Sequence, residues 1–407
     1  MHGDFVMDHN KVVELEDRYY SSGYQKLPVA IVKGKGSIVW DIEGKEYIDC
    51  MSGYGVAILG HCNPFVVEAI KRQAERLITC HCSLYNDVRA ELLEKMMKLV
   101  PKGLEKVFLS SSGAEAVETA LKLARRHTGK HEVIAMMGSF HGKTFGALSA
   151  TWSQKYRGPF EPLLPGFKFV PFGDLNKVKE KVSDKTAAII VEPIQGEGGV
   201  HLPPDGFLQG LRELCDKRGI LLIFDEIQCG FGRTGKLWAC EHWGVIPDVL
   251  CAGKGFAGGI PIGVTFSKDE VMSSLKVGEH SSTFGGNPIA CAASLAALEY
   301  LVKNDLIRRA AKVGTIFKSG LVDIQRRYKV VRDVRGLGLM LALELRFDIK
   351  DVLLNGIKEG LLMLYSGRNI VRLLPPLIIN EQEVKKAVDI LSKVIAIEEE
   401  NKLRPRL

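Results

Sequence analysis

Ile220-Leu221-Leu222-Ile223-Phe224-Asp225-Glu226-Ile227-Gln228 is the stretch on which the fold turns. An unbroken apolar run that ends in acids reads as a short strand buried on both faces, delivering charge at its end. The same texture recurs at Lys106–Ser110, Glu132–Met136, Ala187–Glu192 and Asp248–Ala252. Helical patterns lie between them, as at Glu115–Arg126 and Phe207–Lys217. Alternating strands and helices predict an α/β domain with a mostly parallel sheet.

Outward from this core the texture changes. From about Ser294, long helical patterns (Ser294–Lys303 and Leu306–Tyr328) lead into Arg335-Gly336-Leu337-Gly338-Leu339-Met340 and an apolar strand. The remainder, to about Ile397, predicts a smaller α+β lobe. Near the start, Ser37–Trp40 and Glu46–Asp49 predict a hairpin turning at Glu43-Gly44. The expected division is an N-terminal segment, 1–50, packing with the small domain; a large domain, 51–293; and a C-terminal small domain, 294–407.

With 407 residues, 46% hydrophobic and 25% charged, the composition is that of an ordinary globular protein. Met1-His2-Gly3-Asp4-Phe5 lacks a basic and apolar leader, and no apolar run approaches the ~20 residues of a membrane helix. The nine cysteines are scattered. Cys80-His81-Cys82 and Cys240-Glu241-His242 have no matching second pair for zinc, so no metal is expected, and reduced thiols point to the cytoplasm. The net charge of +7 is interspersed, with no aromatic-interleaved basic stripe for nucleic acid. Such a surplus suits anionic substrates or an acidic partner.

Four strand ends carry chemistry, because ligands of open α/β sheets bind beyond the carboxyl ends of strands. Ser110-Ser111-Ser112-Gly113-Ala114-Glu115 follows a strand and opens a helix, so its free N–H groups can cradle a phosphate. Alone it would be a plain serine cap. Asp225 ends an apolar strand, where a buried carboxylate needs a cation or donor. A protonated pyridine nitrogen would serve; a metal or a helix cap are the alternatives. Cys251-Ala252-Gly253-Lys254-Gly255 puts a lysine at a strand end, where a dry pocket makes it a nucleophilic amine. Val191-Glu192-Pro193-Ile194-Gln195-Gly196-Glu197-Gly198-Gly199 reads as a tailored site wall or as a tight surface turn. A fifth stretch, Gly230-Phe231-Gly232-Arg233-Thr234-Gly235-Lys236, has phosphate-loop spacing, but Leu237 stands where magnesium needs a hydroxyl. A nucleotide-binding protein is therefore the rival reading.

Together these segments resemble the class III (ω-amino acid) aminotransferases of fold type I. The resemblance rests on Ser112–Ala116, Phe140-His141-Gly142-Lys143-Thr144, Glu192–Gly199, Asp225–Gln228, Gly253-Lys254-Gly255, Ser282-Thr283-Phe284-Gly285-Gly286-Asn287-Pro288 and Arg372-Leu373-Leu374-Pro375-Pro376, in family order along nearly the whole chain. It implies a large domain with a mostly parallel seven-stranded sheet, a smaller α+β domain, and pyridoxal 5′-phosphate as cofactor. It further implies that Lys254 holds that cofactor as a Schiff base and shuttles the proton. Asp225 would pair with the ring nitrogen and Gln228 with the phenolic oxygen. Phe140 and Ile227 would cover the two ring faces. Gly113 and Ala114, with Ser112 nearby, would take the phosphate. Thr283 would reach the phosphate of a neighbouring subunit, making a homodimer with active sites at the interface.

On the substrate side, Arg372 resembles the arginine that binds the α-carboxylate of 2-oxoglutarate, and Glu197 the glutamate that pairs with it while an ω-amine reacts. Glu192 belongs to the same substrate wall. Lys143 stands where relatives carry arginine and is expected to anchor the donor carboxylate without the guanidinium fork. Tyr54 falls where ornithine aminotransferases place a tyrosine facing the substrate's α-amine. Gly55–His61, Ser149–Trp152 and Tyr156–Pro162 look instead like acetylornithine and carrier-protein-linked lysine aminotransferases, the latter acting on donors borne by an acidic carrier protein. The expected reaction moves a terminal amine from acetylornithine, ornithine or a related diamino acid to 2-oxoglutarate, giving a semialdehyde and glutamate. The alternatives within the fold are a 4-aminobutyrate aminotransferase and an amino-acid racemase.

Overall fold

The computed structural model describes residues 7–403; the leader residues considered above, Met1–Phe5, lie outside them. Three short strands come first: β1 (Ile31–Lys35), β2 (Ile38–Asp41) and β3 (Glu46–Asp49). The expected hairpin is β2–β3, with Trp40 opposite Glu46. Asp41 closes its turn by accepting from the N–H groups of Glu43 (3.0 Å) and Lys45 (2.8 Å).

The central sheet comprises β4 (Lys106–Ser110), β5 (Glu132–Met136), β6 (Phe167–Val170), β7 (Thr186–Val191), β8 (Leu221–Asp225), β9 (Val249–Ala252) and β10 (Gly263–Ser267), in spatial order β4-β10-β9-β8-β7-β5-β6. All run parallel except β10, which is antiparallel to both β4 and β9. Strands β7, β8 and β9 are buried at every position, as their unbroken apolar runs require. Two of the seven, β6 and β10, were not among the expected strands. Both are short, and Lys168 and Thr265 break their apolar runs.

The topology places the site. Because β10 reverses between β4 and β9, strands β4, β5, β7, β8 and β9 all end at one edge of the sheet. Asp225 ends β8, Ser112, Glu192 and Lys254 follow β4, β7 and β9 within two residues, and Phe140 lies on the loop after β5.

The C-terminal part forms an antiparallel sheet, β11 (Val331–Leu337), β12 (Met340–Leu345), β14 (Leu364–Ser366) and β15 (Ile370–Leu373), in order β11-β12-β15-β14. Helix Leu306–Arg327 packs on it, and helix Glu381–Leu403 packs on that helix. Strand β13 (Leu361–Leu362) instead pairs in parallel with β3. The N-terminal hairpin and the C-terminal part therefore share one sheet. The helix expected to begin at Ser294 begins at Pro288, where the Asn287 side chain accepts from Ala290 N–H at 2.9 Å. It packs on helices Pro64–Arg76 and Asp87–Met97, so the expected boundary at 293/294 falls inside it.

Candidate active site

A cavity of about 200 Å³ opens at the strand ends, walled by Gly113, Ala114, Phe140, Asp225, Ile227 and Lys254 among others. At one end, Ser112 caps the helix Gly113–Thr128 by accepting from Glu115 N–H at 3.3 Å. The Glu115 carboxylate reaches back to Ser111 N–H at 2.6 Å, a reciprocal cap. Among the described residues nothing accepts from the N–H groups of Gly113 and Ala114. A Cβ on Gly113 would stand 2.9 Å from the Ile227 side chain, so glycine lets the cradle close on the cavity wall.

Asp225 is 4% exposed. Its Oδ1 accepts from Ile227 N–H at 3.1 Å, and its Oδ2 lies 2.8 Å from His141 Nδ1. His141 Nε2 is buried without a partner. His141 was no more than a member of the Phe140–Thr144 motif at the level of sequence. Its partner is 84 residues away and no periodicity links the two. Glu192 lines the cavity, with Oε1 accepting from Phe140 N–H and Oε2 from Gly196 N–H, both at 2.9 Å. It thus braces the Phe140 backbone and the Glu197 loop; burial pushes its carboxyl above the usual range.

Lys254 is partly buried and sits at φ +47°, a left-handed conformation unusual for a non-glycine residue. Burial lowers its amine to about 8, with Arg372 pushing the same way and Glu197 and Asp225 opposing. Arg372, in β15, is fully buried. Its Nη2 donates to Glu197 Oε1 at 2.7 Å and its Nη1 to Gln228 Oε1 at 3.0 Å. A Cβ on Gly196 would stand 2.1 Å from that same Gln228 oxygen, which fixes glycine in the loop.

The remaining expected residues lie farther out. Tyr54 is 41% exposed, at φ +62°, with its ring centroid 5.9 Å from the Arg372 guanidinium carbon. Burial and neighbouring Tyr365 raise its phenol to about 12. Lys143 is exposed, with Nζ 5.1 Å from the Tyr156 ring centroid. Thr283 is exposed and does not line the cavity within one chain. Tyr156 and Tyr365 both stand at the mouth beyond Phe140; Tyr156 entered the sequence reading only as the start of Tyr156–Pro162, and Tyr365 went unnoticed, since a lone tyrosine carries no pattern.

The phosphate-loop spacing at Gly230–Lys236 does other work. Arg233 is fully buried, and its Nη1 donates to the carbonyls of Leu339 (3.1 Å) and Pro375. The loop thereby clasps the C-terminal part, and burial lowers the guanidinium to about 9.

The donor set suits a flat, anionic aromatic cofactor such as pyridoxal phosphate. The free amides at the helix start match a phosphate. Phe140 and Ile227 offer apolar faces, Asp225 a carboxylate for a cationic ring atom, and Lys254 an amine. Among the described residues no group of three or more His, Cys, Asp or Glu is placed to hold a metal. No helix there is long and apolar enough to cross a membrane.

Comparison with known proteins agrees with this geometry. The family described as aminotransferase class-III matches residues 19–395. An acetylornithine aminotransferase of Methanopyrus kandleri is 48% identical over 377 residues, covering 92% of this chain and 96% of that protein. A [LysW]-aminoadipate semialdehyde/glutamate semialdehyde transaminase of Sulfolobus acidocaldarius is 43% identical, covering 90% of this chain and 95% of its own length. A solved ornithine aminotransferase from Toxoplasma gondii, with PLP partially occupying its active site, superposes with a TM-score of 0.94 at 36% identity, covering 98% and 96% of the two chains.

Proposed function

Because the chain belongs to the class III aminotransferases, whose cofactor is pyridoxal 5′-phosphate, we propose that it transfers the terminal amine of acetylornithine, ornithine or a related diamino acid to 2-oxoglutarate. The Arg372–Glu197 ion pair beside Lys254 carries this reading. One site must take two unlike substrates in turn. A buried guanidinium already neutralised by Glu197 tolerates the uncharged arm of a terminal-amine donor. Released by Glu197, the same guanidinium grips the carboxylate of the keto acid in bidentate fashion.

When bound, the cofactor supplies an aldehyde for the amine and a ring that accepts electrons. The chain does the rest. Gly113 and Ala114 N–H groups hold the phosphate with the helix dipole behind them. Asp225, steadied by His141, holds a protonated ring nitrogen. Phe140 and Ile227 would cover the ring's two faces and exclude water. Lys254 would hold the cofactor through its Nζ; freed when the donor amine takes its place, that Nζ, with its lowered basicity, would carry the proton from the amine-bearing carbon to the cofactor's former aldehyde carbon. Gln228, anchored by Arg372, orients toward the ring's oxygen, and Lys143 and Tyr54 meet the donor's α-substituents. Thr283 sits on the surface, which suits a homodimer in which each chain completes its partner's phosphate site. A cytoplasmic setting fits the nine free cysteines.

A donor panel with 2-oxoglutarate tests the reading: acetylornithine, ornithine, lysine and 4-aminobutyrate, scored by glutamate formed. Glutamate from the first two at the highest kcat/KM supports it. Glutamate from 4-aminobutyrate alone, or interconversion of enantiomers without a keto acid, overturns it.

A further inference from the structure

A left-handed stretch of backbone stands beside Arg372. Ser52, Gly53, Tyr54 and Gly55 have φ of +47°, +58°, +62° and +85° in succession. Glycine takes two of the four places without strain, but Ser52 and Tyr54 crowd their Cβ against the following carbonyl. Left-handed residues ordinarily occur singly, so a run of four is a turn that its surroundings must hold. This one carries Tyr54 to the mouth, with its ring centroid 5.9 Å from the Arg372 guanidinium carbon.

Asp49, at the end of β3 and 4% exposed, does the holding. Its Oδ1 accepts from the N–H groups of Met51 at 2.8 Å and Ser52 at 2.9 Å, which fixes the entry to the turn. Its Oδ2 lies 2.6 Å from His61 Nε2. His61 is fixed from its other side. Its backbone N–H donates to Gly36 O at 2.8 Å, and its carbonyl accepts from Gly36 N–H at 3.0 Å. A Cβ on Gly34 would stand 2.7 Å from the His61 Cβ, so the histidine is pressed onto the β1–β2 hairpin. The same segment is tied to the arginine's strand: Leu374 N–H, two residues after Arg372, donates to Cys50 O at 2.8 Å. Neither Asp49 nor His61 lines the cofactor cavity.

A guanidinium binds a carboxylate along its edge and takes an aromatic ring on its face. The Tyr54 ring therefore steadies the plane of Arg372 while leaving the edge to a carboxylate. We propose that Asp49 and His61 are positioning residues for keto-acid recognition, their pair holding the left-handed turn that sets Tyr54 against Arg372. The role rests on the reading that Arg372 takes the carboxylate of 2-oxoglutarate, and it names what orients that arginine.

Single-turnover kinetics of the amino form of the bound cofactor with 2-oxoglutarate test the role, with cofactor retention on dialysis measured alongside. His61→Ala should weaken the apparent binding of 2-oxoglutarate roughly fivefold, the weight of a partly exposed cation–π contact. The limiting rate and cofactor retention should stay as in the parent protein. Tyr54→Ala, at an exposed position, should show the same loss, and unchanged binding there overturns the role without reliance on His61. The double variant should lose no more than Tyr54→Ala alone, because both changes remove one contact. His61→Gln, whose amide can still donate to Asp49 Oδ2, should recover most of the binding. Additive losses in the double variant, or cofactor lost in step with 2-oxoglutarate, would make the pair a prop of the fold and overturn the role. Silent His61 variants overturn it while the Arg372 reading stands. If Arg372→Lys leaves 2-oxoglutarate binding untouched, that reading falls, and the positioning role falls with it.

Discussion

Replacing Glu197 by glutamine should tilt the enzyme toward its keto acid. Arg372 is fully buried, its Nε has no partner, and its two bonds run to Glu197 at 2.7 Å and Gln228 at 3.0 Å. Breaking a buried pair by removing one partner costs about 3–5 kcal/mol. Glu197 keeps 21% of its side chain exposed, and glutamine can still accept one hydrogen bond, so about 2 kcal/mol is the better figure. In the parent protein an incoming carboxylate must displace Glu197 and overcome that same term. Its removal should therefore tighten 2-oxoglutarate by roughly 30-fold, since about 1.4 kcal/mol is tenfold. The amine half-reaction should move the other way, because the donor's uncharged arm now meets an unneutralised guanidinium. Single-turnover absorbance changes of the bound cofactor measure each half-reaction separately. An unchanged or weaker affinity for 2-oxoglutarate in Glu197→Gln would refute the switch, whatever happens to the donor.

Four further outcomes follow from the same geometry. Covalent capture of pyridoxal phosphate by the apoenzyme needs the neutral Lys254 amine, so its rate should rise with pH through about 8, and borohydride should fix no cofactor in Lys254→Ala. The sign for folding is set by the depressed basicity: between about 8 and the unfolded lysine's ~10.4 the unfolded chain binds the extra proton, so apoenzyme stability should rise over that window by about 3 kcal/mol, a rise lost in Lys254→Met urea titrations. His141→Phe leaves a buried Asp225 oxygen unpaired and should cost about 1–3 kcal/mol by urea titration, with weaker cofactor retention on dialysis; unchanged values for both would argue against the pair's role. Gly113→Ala should force Ile227 aside and raise the cofactor dissociation constant more than it lowers the melting temperature, because the 2.9 Å clash is with a side chain and not with backbone.

The cofactor half of the site was legible because it is local. Asp225 and Lys254 end apolar runs, and Ser112-Gly113-Ala114 sits between a strand and an amphipathic helix, so periodicity alone puts them at one sheet edge. What periodicity cannot supply is pairing across the chain. His141 meets Asp225 only once β5 and β8 share a sheet, and Arg372 meets both Glu197 and Gln228 only once two sheets have packed. The loop Gly230–Lys236 shows the converse hazard: its glycine spacing imitates a phosphate loop, while its arginine turns inward to carbonyls of the other lobe. The short strands β6 and β10 were missed because a four- or five-residue run holding a lysine or threonine is weak evidence by itself.

This division has a consequence for specificity. The residues proposed to meet the cofactor hang on parallel strands β4, β5, β7, β8 and β9, fixed by one sheet. The groups proposed to meet the substrate straddle two sheets: Glu197 from the loop after β7, and Arg372 from β15. Their spacing is set by bonds between the lobes: Arg335 Nε to Gly199 O at 2.9 Å, Ser366 Oγ to Glu197 O, and Arg233 Nη1 to the Leu339 and Pro375 carbonyls. A small shift of one lobe against the other therefore leaves the phosphate cradle and Asp225 untouched, yet changes the reach from Lys254 to Arg372 and to the mouth. That separation allows one cofactor site to serve donors with different arms. It places selection between acetylornithine and ornithine in the contact between sheets, and leaves the strand ends to the chemistry they share.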